Sequence, residues 1–496
     1  MVGWFRTEDR VSGEDNLFSD AIDTDERDEM PDVERSYVGE FSVGECEYSP
    51  AFSVLMATVF GGNRTNEILN VDDRRLTWWE DESLVPSARS TLVNPFTWSQ
   101  SQEVPDDLTG EILGMDADEM FVFSDSGGFQ ATAFNGMEVV SSRDLHSWSN
   151  MKVYPEKLVE WQAMNASAGV ILDYGPYDVE TNQGDTEGMG SVEPEDFDDE
   201  LFYPNLERSI ETASRMYDRW KDMGAEGFKL YNVSQGIVPF EFQNYGPLYY
   251  IREWYDEMDS IGRFEGWGIG TGSNNIGKLA LNLAFIAENM DESHLHFFGT
   301  SSLLYRSLIE YWRLWQGDEF CITLDSTSFE VGSQYREFFS PMSHSSSLTC
   351  STRVEEDRNV VADVTPCTCS VCAQMEREFG QTWIWDENNA RTGVAINLHN
   401  LNLLRSRHRT VQALVHSEGW ELPERFEVSQ SPFWRHMRQQ FSDERLEMLR
   451  TCMRFVKRSR EDSLSQALDD FIFRSYYGYA DGPVIEEREV GGFASW

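Results

Sequence analysis

Cys367, Cys369 and Cys372 fall within six residues, and the next histidine downstream, His399, lies 27 positions beyond Cys372. Three thiols and an imidazole can supply the four ligands of a closed tetrahedral Zn²⁺ site, and with no position left for a metal-bound water that ion would be structural. The expectation is one zinc per chain, held by Cys367, Cys369, Cys372 and His399. A second set of polar residues falls where apolar, strand-like runs end. Asp125 follows the run ending Phe121-Val122-Phe123-Ser124, and Asp173 follows Ile171-Leu172. Gln235 comes just after another run, Gly268 and Gly270 end a further one, and Asp325 closes the last. If those runs are parallel strands of one barrel, their ends open on a single mouth, where barrel active sites are built.

The elements needed to place them so are legible as periodicity. Strand-like runs occupy 119–124, 168–173, 227–233, 265–270, 294–299 and 319–325, and amphipathic helical patterns fill 204–223, 245–260, 276–290 and 302–316. In the first helix Leu206, Ile210, Ala213, Met216, Tyr217 and Trp220 recur at helical spacing and share one face. Repeated βα units imply a parallel sheet, and so many favour a (β/α)₈ TIM barrel over an open doubly wound sheet. Shorter apolar runs between 37 and 115, such as Tyr37–Phe41 and Phe52–Phe60, are expected to supply the first barrel units. The expected division is an acidic mobile tail over 1–36, the α/β barrel over 37–360, an inserted zinc-binding subdomain over 361–405 and a mostly helical C-terminal extension over 406–496. Residues 178–200 hold ten acids and no base, which reads as an exposed acidic loop.

Composition bounds the setting. The 496 residues carry 87 acids against 40 bases, a formal net charge of −47, and only six of the bases are lysine. An acidic, lysine-poor surface on a chain that is 40% hydrophobic and 13% aromatic argues against disorder and for a folded protein adapted to high salt, where self-repulsion is screened. No run of eighteen apolar residues and no basic-then-apolar leader occurs, so a soluble, intracellular protein without membrane contact is expected. That compartment favours metal over disulfide for the cysteine cluster. The charge opposes binding to a phosphate backbone, except over 401–460. There twelve bases, Arg405, Arg407 and Arg409 among them, outnumber seven acids, a candidate surface for a polymer or else a set of locally paired helix faces.

Three motifs, taken in order, carry a resemblance: Asp125-Ser126-Gly127-Gly128-Phe129-Gln130, then Asp325 in Leu324-Asp325-Ser326-Thr327-Ser328, then the Cys-x-Cys-x2-Cys box closed by His399-Asn400-Leu401. Together they resemble the tRNA-guanine transglycosylases and their DNA-modifying 7-deazaguanine relatives, over residues 115–405. The resemblance implies that Asp325 is the nucleophile and Asp125 the acid/base residue. A carboxylate opposite the base can stabilise an oxocarbenium-like sugar and then trap it covalently, while a second carboxyl moves the base's proton. Asp173 would read the guanine edge, because an ionised carboxylate is acceptor-only and guanine N1–H and N2–H₂ are adjacent donors. Gln235 would offer an amide to the base carbonyl, and Gly268 or Gly270 a backbone donor. Ser126, Gly127 and Phe129 would line the base site, with Phe129 or Tyr174 available to stack on it.

The implied activity is exchange of guanine in nucleic acid for a 7-deazaguanine such as 7-cyano-7-deazaguanine. DNA is favoured over tRNA as the polymer, since residues 403–475 look helical where archaeal tRNA enzymes of the family carry a small β-domain. The alternatives are a tRNA enzyme of the queuosine or archaeosine pathway and a non-catalytic RNA-binding paralogue. The paralogue would be expected to lose the nucleophile or the acid/base residue, whereas Asp325 and Asp125 both stand here, as do Asp173 and Gln235. Family members often pair as homodimers through the zinc subdomain, so a homodimer is also expected.

Overall fold

The structure is a computed structural model of the chain. It describes residues 46–50, 90–93, 107–113, 120–127, 147–148, 151–152, 155–175, 199–225, 227–235, 248–270, 276–300, 302–316, 320–326, 329, 338–339, 367–380, 389–417, 421–462, 464 and 466–468. The expected tail at 1–36, the runs at Tyr37–Phe41 and Phe52–Phe60, Phe129, and the acidic stretch up to residue 198 lie outside the described residues.

Eight parallel strands form one sheet: β1 (Cys46–Pro50), β2 (Ser90–Val93), β3 (Phe121–Ser124), β6 (Ala168–Val170), β7 (Lys229–Gln235), β8 (Gly266–Gly270), β9 (His294–Phe297) and β10 (Cys321–Ser326). Two-residue strands β4 (Ser147–Trp148) and β5 (Met151–Lys152) make a separate antiparallel pair. The order across the large sheet is β1-β10-β9-β8-β7-β6-β3-β2, and its end strands β1 and β2 lie against each other. The sheet therefore curls into a nearly closed parallel barrel. Helices α1 (Pro155–Asn165), α2 (Asp199–Met223), α3 (Tyr249–Asp259), α4 (Ile276–Asn289) and α5 (Leu303–Gln316) alternate with its strands from β6 onward. This order is the βα repetition that hydrophobic periodicity predicts.

The glycines of β8 shape the interior. Gly266, Gly268 and Gly270 alternate onto the inner face, while Trp267 turns outward to pack against Tyr255 of α3, 4.8 Å between ring centroids. A Cβ at position 266 would meet Tyr231 at 2.9 Å, and one at 268 would meet Phe298 at 2.7 Å. The space those glycines concede is filled by rings: Phe123 stacks on His296 at 3.9 Å and meets Tyr231 edge-on at 5.4 Å. The barrel is thus a packed core closed below its mouth.

Two expected bounds shift. The run at 168–173 is a regular strand only to Val170, for a reason that belongs to the site below. Helix α2 starts at Asp199, a turn ahead of the expected 204, and carries Pro204 inside its second turn, where the ring removes one i→i−4 hydrogen bond. Arg215 makes a two-pronged pair with Glu156 and Arg219 pairs with Glu160, which tie α2 to α1. All four side chains are partly exposed, so each pair contributes under about 1 kcal/mol.

Beyond the barrel come α6 (Ser370–Phe379), α7 (Asn389–Ser417), α8 (Pro432–Arg438) and α9 (Asp443–Glu461). Helix α7 runs unbroken through residue 405, where the sequence suggests a boundary, and lies along α5; α9 covers α4 and α5. The α5–α7 contact is built on a buried charge cluster. Glu310 meets Arg306 at 2.6 Å, Arg313 at 3.0 Å and His416 at 2.8 Å. Burial alone would raise the Glu310 carboxyl, but Arg306 above all, with His416 and Arg313, holds it down at about 2. Removing one partner of such a cluster costs roughly 3–5 kcal/mol, because it strands the remaining charge.

Candidate active site and metal cluster

The polar residues expected at strand ends stand at one rim of the barrel. Asp125 lies just beyond β3, Asp173 just beyond β6, Gln235 and Gly270 at the last positions of β7 and β8, and Asp325 one residue before the end of β10. In a parallel barrel that rim is the C-terminal mouth. Gln235 and Gly270 are paired in register, as are Val233 and Gly268 one step deeper.

Asp173 is built in from behind. Its segment leaves the sheet after Val170, and the backbone groups so released are met by α2. Thr212 donates its hydroxyl to the Leu172 carbonyl at 2.6 Å, Ser209 accepts the Tyr174 N–H at 2.9 Å, and Asn205 donates to the Gly175 carbonyl at 2.8 Å. Residues 205, 209 and 212 share one helix face, so a polar stripe beside the apolar one replaces the missing ladder. The sequence reading passes over these three residues; three buried polar side chains at helical spacing next to a strand end were the available signal. Tyr174 is buried, with the Arg208 guanidinium 5.5 Å from its ring centroid, and so belongs to this support and offers no face to a base.

In front, the Gln235 side-chain amide donates to Asp173 Oδ2. Burial lifts the Asp173 carboxyl from its ordinary 3.8 to about 7, the Gln235 hydrogen bond opposing the rise and the nearby Asp125 carboxylate adding to it. Two carboxyls that sense each other, one titrating near neutrality, are what acid/base sites assemble. Gly270 matters to this pair: a Cβ there would stand 2.7 Å from Gln235 Oε1. Of the two candidate glycines, Gly270 therefore borders the amide–carboxylate pair, whereas Gly268 faces Phe298 and Val170 inside the barrel.

Asp125 is half-buried and accepts the Gly127 N–H at 3.3 Å, closing a tight turn in which Gly127 adopts φ 74°, a conformation that favours glycine. Ser126 is buried in the same turn. Asp325 accepts the Gly299 N–H through Oδ1 at 2.9 Å, and the same oxygen lies 3.3 Å from His296 Nε2. His296 is fully buried in β9 and is a further residue that sequence reasoning misses; its place as one of two histidines alternating with Leu295 and Phe297 was its only mark.

The second cluster joins α6 to α7. Donor atoms of Cys367, Cys369, Cys372 and His399 lie within 4.8 Å of one another, and the group could hold a metal ion. His399 Nδ1 is 3.4 Å from Cys369 Sγ and 3.2 Å from Cys372 Sγ. Its other nitrogen donates to the Phe339 carbonyl at 2.8 Å, which fixes the tautomer that leaves Nδ1 free to ligate. Phe338 stacks on the imidazole at 3.6 Å, and Asn400 accepts the Phe339 N–H at 2.9 Å, so the His-Asn pair clamps this strip of chain. Cys369 caps α6, its sulfur accepting the Cys372 N–H at 3.5 Å. Hydrogen bonds from Cys367 and then Cys372 favour its thiolate.

The arginines of 401–460 correct an expectation. Arg405 and Arg407 are 2% and 3% exposed, too buried to face a polymer. Arg450 and Arg454 reach the Glu424 carbonyl, and Arg438 those of Glu427 and Ser429, so these three staple the 424–429 segment to α8 and α9. Arg409, Arg435, Arg458 and Arg460 are exposed. Among the described residues no helix is long and apolar enough to cross a membrane. No protein-family model matches the chain, and no curated protein matches it.

Proposed function

We propose that the chain is a guanine transglycosylase that exchanges guanine in nucleic acid, DNA in preference to tRNA, for a 7-deazaguanine base. The observation that carries this reading is the gathering of Asp125, the Asp173–Gln235 pair, Gly270 and Asp325 at one barrel mouth. It is supported by the motif order along the chain. In this reading Asp325 attacks the sugar C1′ as the C1′–N9 bond to guanine breaks, and Asp125 gives the departing base its proton. The entering base then attacks C1′, the ester to Asp325 breaks, and Asp125 takes the proton back. Ionised Asp173 accepts guanine N1–H and N2–H₂, while Gln235, already holding Asp173 with one amide hydrogen, has the other for the base carbonyl. A 7-deazaguanine shares that edge, so one pocket serves both bases. The target nucleotide must leave its stack to reach it, at a cost of a few kcal/mol.

The fold class that goes with this is a (β/α)₈ barrel with a zinc-binding subdomain at 361–405 and a helical C-terminal extension. For the metal we infer a structural Zn²⁺. A tetrahedron with bonds of ~2.3 Å to sulfur and ~2.0 Å to nitrogen has edges of roughly 3.5–3.8 Å. The sulfur–nitrogen separations of 3.4 and 3.2 Å fit that frame with little adjustment. The ion would pin α6 to α7 and take no part in base exchange. DNA is favoured because described residues 389–462 form helices where a tRNA-gripping β-domain would be expected.

The experiment is incorporation of labelled 7-cyano-7-deazaguanine at molar salt, offered duplex DNA or tRNA in parallel. Label should enter nucleic acid with wild-type protein and fail to enter with Asp325→Asn of unchanged zinc content. Label in tRNA alone would reassign the polymer. Full turnover by Asp325→Asn would remove the nucleophile and the proposal with it.

A further inference from the structure

His296 has a place in the site that packing alone does not explain. Its ring is fully buried between β3 and β10, stacked flat on Phe123 at 3.9 Å and 13°, with Phe298 across its edge at 4.6 Å. Nδ1 lies 2.7 Å from the Thr323 hydroxyl. Nε2 has no hydrogen bond, yet it stands 3.3 Å from Asp325 Oδ1. A buried nitrogen left without a partner is costly, and a carboxylate oxygen stands within reach of this one but off its N–H axis, so that a shift of the carboxylate would let the two bond. Because an ionised carboxylate only accepts, the nitrogen facing it must carry the hydrogen, and in a neutral ring Nδ1 then accepts from Thr323. Hydrogen bonds of catalytic groups are often poorly aligned before substrate binds.

We propose that His296 is a positioning residue for Asp325. Together with the Gly299 N–H it holds Oδ1, which leaves Oδ2, to which no described residue donates a hydrogen bond, as the oxygen that attacks C1′. Thr323 sets the tautomer from β10 itself, two residues before the carboxylate. Phe123, two residues before Asp125 on β3, carries the imidazole, so the seat of the nucleophile and the strand of the acid/base residue are one packed unit. This inference rests on the transglycosylase reading, and its test separates the two.

The assay is exchange of tritiated guanine into guanine-containing DNA and tRNA by the full chain, with kcat and the KM for guanine measured separately. His296→Leu should lower kcat about 10- to 100-fold, the effect of losing a hydrogen bond to a charged group, and leave KM unchanged because the base edge is read elsewhere. His296→Gln, whose amide can donate from the same side, should recover most of that loss. Thr323→Val, by releasing the tautomer, should fall between them. Thermal unfolding of all three guards against misfolding. Wild-type kcat in a folded His296→Leu, or a His296→Gln no better than His296→Leu, overturns the positioning role while the transglycosylase reading stands. Wild-type protein that exchanges no guanine overturns both.

Discussion

Replacing Asp173 by asparagine should make the protein more stable above neutral pH while it disables the base site. The carboxyl titrates near 7 in the fold against 3.8 ordinarily, with burial the chief cause. A group whose folded pKa is raised binds more protons folded than unfolded between those values, so stability falls as pH climbs from about 4 to 7 and stays lowered above. The distance between 3.8 and about 7 corresponds to about 4 kcal/mol against the ionised form. Asparagine cannot ionise, and its carbonyl can still accept the Gln235 amide. Urea or guanidinium unfolding at constant high salt should therefore show the variant equal to wild type near pH 4 and ahead by roughly 2–4 kcal/mol at pH 8. Guanine binding should vanish in the variant. In wild type it should strengthen about tenfold per pH unit up to 7 and then level, since only ionised Asp173 accepts both donors. A stability difference that is the same at pH 5 and pH 8 would refute the reasoning, because Asp173 would then ionise as in water.

Three further outcomes are expected. Gly270→Ala should leave unfolding within about 1 kcal/mol of wild type, since the clash is with the end of a flexible side chain. The displaced Gln235 should nonetheless weaken guanine binding at least about tenfold, and unchanged binding measured by calorimetry would dismiss the pair. Elemental analysis should find one zinc per chain, lost in Cys369→Ser together with protease resistance around residues 367–399, and a retained metal would displace that thiol from the ligand set. Charge reversal at buried Arg405 should destabilise by roughly 3–5 kcal/mol, whereas exposed Arg409→Glu should not, and its effect on polymer binding in a filter assay tests whether this face meets phosphate.

Much of the architecture can be read along the chain because its cause is local. The apolar runs at 227–233, 265–270 and 319–325 and the stripe from Leu206 to Trp220 announce strands and helices by period, and repetition of the pair admits few topologies besides a parallel barrel. The strand-end residues follow at once: once Asp125, Asp173, Gln235, Gly270 and Asp325 stand at strand ends, barrel closure brings them to one mouth. Three cysteines crowded into six residues, with His399 the next histidine downstream, likewise limit what that cluster can be.

What only the folded chain decides is who faces whom between distant segments. Nothing about Asn205, Ser209 and Thr212 in sequence says that they replace the hydrogen-bond ladder behind Asp173, because that need arises only where β6 stops. His296 reads as an ordinary strand residue until Thr323 and Asp325 flank it. Arg405 and Arg407 count as surface charge by composition and become buried once α7 lies down on the barrel helices. Period depends on neighbours a few residues away and so is written locally; the polarity of a buried environment is set by residues from 27 positions off, as Thr323 is from His296, to 106, as His416 is from Glu310, and the chain must close before it exists.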